Sequence, residues 1–76
     1  MNQKISDIDN KRIGLIIKLA REKKYLTADQ LATSLELARP TLSLYESGTR
    51  PVPASRVEGI AKALDLDPRV IAPAAA

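Results

Sequence analysis

TADQLATSLELARPTLSLYESG, residues 27–48, has the pattern of two short helices joined by a tight turn. Thr27 is a good helix N-cap, and Gln30 stands at the third helical position, where its side chain completes a capping box. Leu31, Ala32 and Leu35 then fall on one side of a helix over about 28–35. The pattern breaks at Glu36 to Ala38 and resumes in a second short helix, from Arg39 or Pro40 to about Ser47, with Leu42 and Tyr45 inside. Pro40 is tolerated because it falls in the first turn, where its missing N–H would have no partner. Gly48 ends that helix as a residue free to adopt positive φ. Small Ala32 lies where the two helices cross, and a larger side chain there would push them apart.

Working outward, an earlier helix is expected to start near Asp7 or Asp9, either of which can cap, and to run to about Lys24. Ile13, Ile16, Ile17 and Ala20 make its core face. Residues 1–8 read as a loose arm. Leu15 and Leu19 form a second apolar stripe that either packs on Ile5 and Ile8 of the arm or meets another chain. Downstream, Thr49 to Pro53 is a stiff connector with two prolines in five residues. A helix from about Pro53 to Leu64 follows, carrying Val57, Ile60, Ala61 and Leu64 at i, i+3, i+4, i+7. Asp67 and Pro68 supply a cap and a first-turn proline for a last turn through Val70 and Ile71. Residues 72–76 read as a frayed tail. The fold class is therefore all-α: a compact five-helix bundle over residues 9–71 with a helix-turn-helix at its centre.

Composition narrows the function. The chain has 76 residues, 12 Lys and Arg against 9 Asp and Glu, a net charge of +3, and neither His nor Cys. Those absences exclude disulfides, Cys/His zinc sites and Ser-His or Cys-His nucleophile pairs. The carboxylates have capping or surface roles, so an enzyme is not expected, and no cofactor or metal is indicated. The apolar stretch Ile13 to Leu19 contains Lys18 and is too short to span a bilayer, so no membrane partner and a cytoplasmic location are expected. The sequence pI of about 9.5 fits a nucleic-acid partner as well as ordinary solubilising charge. Two short helices joined by a three-residue turn tip the balance, because the first can brace the second across a duplex while the second enters the major groove.

IKLAREKKYLTADQLATSLELARPTLSLYESGTRP, Ile17 to Pro51, resembles the core of the phage-repressor-like helix-turn-helix regulators, the Cro/CI or XRE family, and ALDLDP, Ala63 to Pro68, resembles its C-terminal part. The likeness covers about residues 13–71. Its most specific features are Leu31-Ala32, Glu46-x-Gly48, and Arg21 at the spacing of a structural arginine. The resemblance implies a double-stranded DNA partner and an ion pair between Arg21 and Glu46 that ties the first helix to the end of the third. It implies base reading by Arg39, Pro40, Thr41, Ser43 and Leu44. Arg39, at the leading end of the helix, can bond both acceptors of a guanine or hold a phosphate instead. Leu44 and the Pro40 ring can meet a thymine methyl, or Leu44 can be an edge of the core. Backbone contacts are implied for Thr27, Ala28, Ser47, Thr49 and Arg50, with Arg50 alternatively reaching the minor groove. Lys23 and Lys24 flank the same surface.

Three positions depart from the family pattern: Ala28 replaces a backbone-contacting Gln, Glu36 a turn Gly, and Tyr25 a helix-ending Gly. A domain this small makes few base contacts, so a homodimer on a palindrome with half-sites about one helical turn (~34 Å) apart is expected. Leu66, Val70 and Ile71 are its expected interface, unless they cap the monomer core, with Leu15 and Leu19 as a further stripe. These readings lead to a transcriptional regulator, most simply a repressor of a small operon that can include its own gene, and the resemblance implies a phage or mobile-element type. The alternatives are an antitoxin that also blocks a partner protein through an apolar face, and an interaction-only module of the same fold.

Overall fold

The computed structural model describes residues 2–72, with side chains from residue 7 onward. Five helices follow one another: α1 (Asn2–Lys23), α2 (Ala28–Ser34), α3 (Arg39–Ser47), α4 (Ala54–Leu64) and α5 (Pro68–Ile71). No strand occurs among the described residues. Their shared core is apolar throughout, with Ile13, Ile17, Leu31, Leu42, Ile60 and Ile71 fully buried and no buried polar or charged side chain among the described residues. Ile16, Ala20 and Leu35 pack against it from the flanks.

α1 is longer than its capping residues imply. It begins at Asn2 and not near Asp7 or Asp9, so residues 2–8 are helix and not the expected arm. No Gly or Pro occurs before Gly14 to interrupt it, and Asp9 pairs one turn on with Arg12, at 2.7 Å, instead of capping. A continuous helix also rules out the fold-back of Ile8 onto Leu15: the two lie seven residues apart on one stripe. Ile8, Leu15 and Leu19 are 66%, 53% and 54% exposed. The Ile5 side chain, and the tail beyond residue 72, lie outside the described residues.

Four helices stop by one device. A residue with positive φ donates its N–H to the carbonyl three back, and the next residue donates to the carbonyl five back. Tyr25 and Leu26 close α1, Glu36 and Leu37 close α2, Gly48 and Thr49 close α3, and Asp65 and Leu66 close α4. The φ angles are 58°, 56°, 75° and 56° at Tyr25, Glu36, Gly48 and Asp65. Three of the four are not glycine, so the turn between α2 and α3 keeps its shape around Glu36. The residue after each non-glycine stop is a leucine packed against the core, which fixes the direction in which the next element leaves.

Two glycines set how closely α1 meets α3. A Cβ on Gly14 would lie 2.4 Å from the Tyr45 carbonyl oxygen and 2.5 Å from that of Glu46. Gly48, besides its positive φ, lies against the α1 backbone, where a Cβ would come within 2.6 Å of the Lys11 Cα. The C-terminal turn of α3 therefore sits directly on α1, and this seating holds the outer side of α3 toward solvent.

Candidate nucleic-acid interface

α3 turns Leu42 and Tyr45 into the core and leaves Arg39, Pro40, Ser43 and Ser47 exposed. Four of the residues at spacing i, i+1, i+4 and i+8 thus share one outward face. Thr41 and Leu44 are half-buried on its flanks. The five side chains expected to read bases are together on this helix, with Arg39, Pro40 and Ser43 the most accessible.

Arg39 is not free at its end of the helix. Its Nη1 donates to Ser43 Oγ at 2.7 Å, and its Nε lies 3.2 Å from Asp29 Oδ1 in the first turn of α2. The i, i+4 spacing of Arg39 and Ser43 is visible in sequence. The Asp29 contact joins two helices across the turn and carries no local signal, so sequence reasoning misses it.

Behind α3, Arg21 and Glu46 meet in a two-pronged pair, Nε to Oε2 at 2.7 Å and Nη2 to Oε1 at 3.2 Å. The Arg21 Nη1 donates to the Leu26 carbonyl at 2.9 Å, so the same guanidinium also closes the α1 terminus. The two side chains are only 12% and 11% exposed. Hydrogen bonding to Glu46 raises the Arg21 pKa above its ordinary value, against the opposing effect of burial. This pair holds the end of α3 on α1 and belongs to the scaffold beneath the outward face.

The residues expected at the DNA backbone fall in two places. Ser47, Thr49 and Arg50 cluster past the C-terminus of α3: the Ser47 and Thr49 hydroxyls are 2.8 Å apart, and the Thr49 and Arg50 amides both donate to the Leu44 carbonyl. Arg50 is exposed. At the other place, Thr27 Oγ1 accepts from the Gln30 amide at 3.0 Å while Gln30 Oε1 accepts from the Thr27 amide at 2.8 Å, the expected capping box. Its hydroxyl hydrogen stays available to an acceptor. Ala28 is half-buried and packs on the core, which turns its methyl away from any partner and leaves only its backbone. Lys23 and Lys24 are exposed, and Lys24 pairs with Asp65 at the end of α4.

The three residues expected at a dimer interface do not share one environment. Val70 is 40% exposed and Leu66 half-buried. Ile71 is 0% exposed, so it belongs to the monomer core and presents nothing to a second chain. The reason is the first-turn proline: Asp67 accepts from the Arg69 amide at 2.9 Å and Pro68 starts α5, which turns Ile71 inward while Val70 faces out. Sequence reasoning also misses Arg56, whose Nη1 donates to the Leu35 carbonyl at 3.0 Å and so braces the end of α2 from α4.

Among the described residues no cluster of side chains could hold a metal ion, and no helix is long and apolar enough to cross a membrane. A family model described as a helix-turn-helix domain matches residues 12–74. Among solved structures, the chain is similar to the restriction-modification controller protein C.AhdI from Aeromonas hydrophila, with a TM-score of 0.78 and 29% sequence identity. That likeness covers 86% of this chain and 98% of the other. A search of curated proteins finds no match.

Proposed function

This chain belongs to the helix-turn-helix domain family as an XRE-like DNA-binding transcriptional regulator, and on that premise we propose that it is a homodimeric, non-catalytic repressor of a palindromic operator. The observation that carries the reading is the outward face of α3. It presents Arg39, Pro40 and Ser43 to solvent, ends in the Ser47, Thr49 and Arg50 cluster, and is seated by Leu42, Tyr45 and the Arg21–Glu46 pair. Arg39 reads a guanine from the leading end of α3, Thr41 and Leu44 contribute from the flanks, and Thr27, the Ala28 backbone, Ser47, Thr49 and Arg50 hold phosphates. Leu66 and Val70 supply the apolar part of the contact between the two copies. The similarity to a restriction-modification controller supports a regulator of a small, self-contained genetic unit, acting in the cytoplasm and on its own promoter.

The test is titration of the protein against the duplex lying upstream of its own coding sequence and against a scrambled duplex of equal length, across a salt series. Tight binding of two chains per upstream duplex, weak binding to the scramble, and loss of the difference in Arg39→Ala support the proposal. Equal, steeply salt-dependent binding to both duplexes contradicts it, since only the phosphate contribution would then be present. Arg50→Ala is expected to weaken both complexes alike.

The exposed Ile8, Leu15 and Leu19 stripe on α1 favours a second reading, in which a partner protein covers that face while α3 holds DNA. A tight partner that co-purifies with the wild type and is lost on Leu15→Ser with Leu19→Ser supports it.

A further inference from the structure

An arginine at the start of a recognition helix is an ambiguous reader. Its long side chain reaches a guanine edge or a phosphate with similar ease, and the second choice carries no sequence information. Here the ambiguity is restricted by two neighbours. Arg39 has its Nε 3.2 Å from Asp29 Oδ1 and its Nη1 on Ser43 Oγ at 2.7 Å. Among the described residues Nη2 makes no hydrogen bond, and Nη1 keeps one hydrogen beyond its bond to Ser43. These two donors form the end-on fork that matches the O6 and N7 acceptors of guanine.

We propose that Asp29 is a specificity-determining positioning residue, which with Ser43 holds the Arg39 guanidinium so that its end-on fork is aimed at a guanine and withheld from phosphates. The proposal rests on the reading of α3 as the helix that meets bases. Two physical effects carry it. First, the guanidinium is ordered before DNA arrives, which removes part of the cost of immobilising a flexible side chain in the specific complex. Second, if Arg39 swings onto a phosphate, the Asp29 carboxylate is left without its cation beside a negatively charged strand. That penalty falls on the non-specific complex and not on the specific one, so Asp29 acts by discrimination more than by affinity. The pair is solvent-accessible, with Arg39 51% and Asp29 83% exposed. It therefore contributes little to folding, and a change at Asp29 can be read at the DNA without unfolding the chain.

The experiment uses the full chain and a duplex enriched from a random pool by the wild-type protein. Dissociation constants are measured for that duplex and for the set in which each base pair is changed singly, with wild type, Asp29→Asn, Asp29→Glu and Arg39→Ala. The expected result is that Arg39→Ala abolishes discrimination at one G·C pair per half-site. Asp29→Asn lowers discrimination at that same pair by about three- to tenfold, the scale of one side chain's ordering, and leaves the other positions unchanged. Asp29→Glu, which keeps the charge, retains most of it. Binding of Asp29→Asn to scrambled duplex rises. If Asp29→Asn weakens every duplex by one factor, or leaves discrimination at the Arg39 pair intact, the positioning role is overturned while base reading by α3 stands. If Arg39→Ala itself keeps full discrimination at every pair, base reading by Arg39 fails and the proposal falls with it.

Discussion

Glu36 holds a φ of 56° at the stop of α2, in the left-handed region that favours glycine. A left-handed residue with a Cβ costs roughly 1–2 kcal/mol, part of which is offset because glycine loses more entropy on folding. Glu36→Gly is therefore expected to raise the unfolding free energy by about 0.5–1 kcal/mol in a denaturant titration. At the opposite extreme, Arg21 and Glu46 form a part-buried pair that also binds the α1 terminus. Arg21→Ala leaves a part-buried carboxylate without its cation, and a loss of about 3 kcal/mol is expected in the same titration. At this scale much of the scaffold was legible, but by different routes. The Thr27 and Gln30 capping box follows from local spacing alone, whereas Arg21 and Glu46, 25 residues apart, could be joined only through the family resemblance. The Asp29 contact to Arg39 follows from neither, because it depends on the angle between two helices.

The elements are legible where chemistry punctuates them and obscure where it does not. Prolines in the first turns of α3 and α5 and the positive-φ stop at Gly48 located those boundaries closely. α1 has two capping candidates inside it, Asp7 and Asp9, and no breaker upstream, so capping residues alone place its start later than Asn2. An Asp inside a helix can pair along it as well as cap it, and Asp9 does so with Arg12. α5 carries a cap that responds to pH. Hydrogen bonds from the Arg69 side chain and backbone lower the Asp67 pKa from 3.8 to about 2. Because the folded value is depressed, the contribution of this cap is complete above about pH 3.8 and is lost as pH falls through about 2. A carbon-detected NMR titration is expected to place the Asp67 midpoint near the lower value, and a midpoint at the ordinary value would contradict the cap.

For the whole molecule, the order of helices and the single apolar core were readable from periodicity, but the division between core and interface was not. Val70 and Ile71 are adjacent and both aliphatic, and only the setting of α5 decides which faces in. The two are therefore expected to separate by mutation. Ile71→Ala should destabilise the fold by about 2–5 kcal/mol. Val70→Asp should leave the unfolding midpoint nearly unchanged while shifting sedimentation equilibrium toward monomer. A monomer–dimer equilibrium unchanged in Val70→Asp would contradict Leu66 and Val70 as the contact between copies. A further apolar stripe, Ile8, Leu15 and Leu19, lies on α1, an element that contributes none of the side chains assigned to DNA.

One face of this molecule, the outside of α3 with the segment after it, is proposed to meet DNA. Backbone amide shifts of isotopically labelled protein, followed through titration with a duplex it selects, test it most directly. The largest changes are expected at Arg39 to Leu44 and Ser47 to Arg50, with a second group at Thr27 to Asp29, and little change at Ile8, Leu15 and Leu19. Changes concentrated on that α1 stripe, with α3 unmoved, would contradict it.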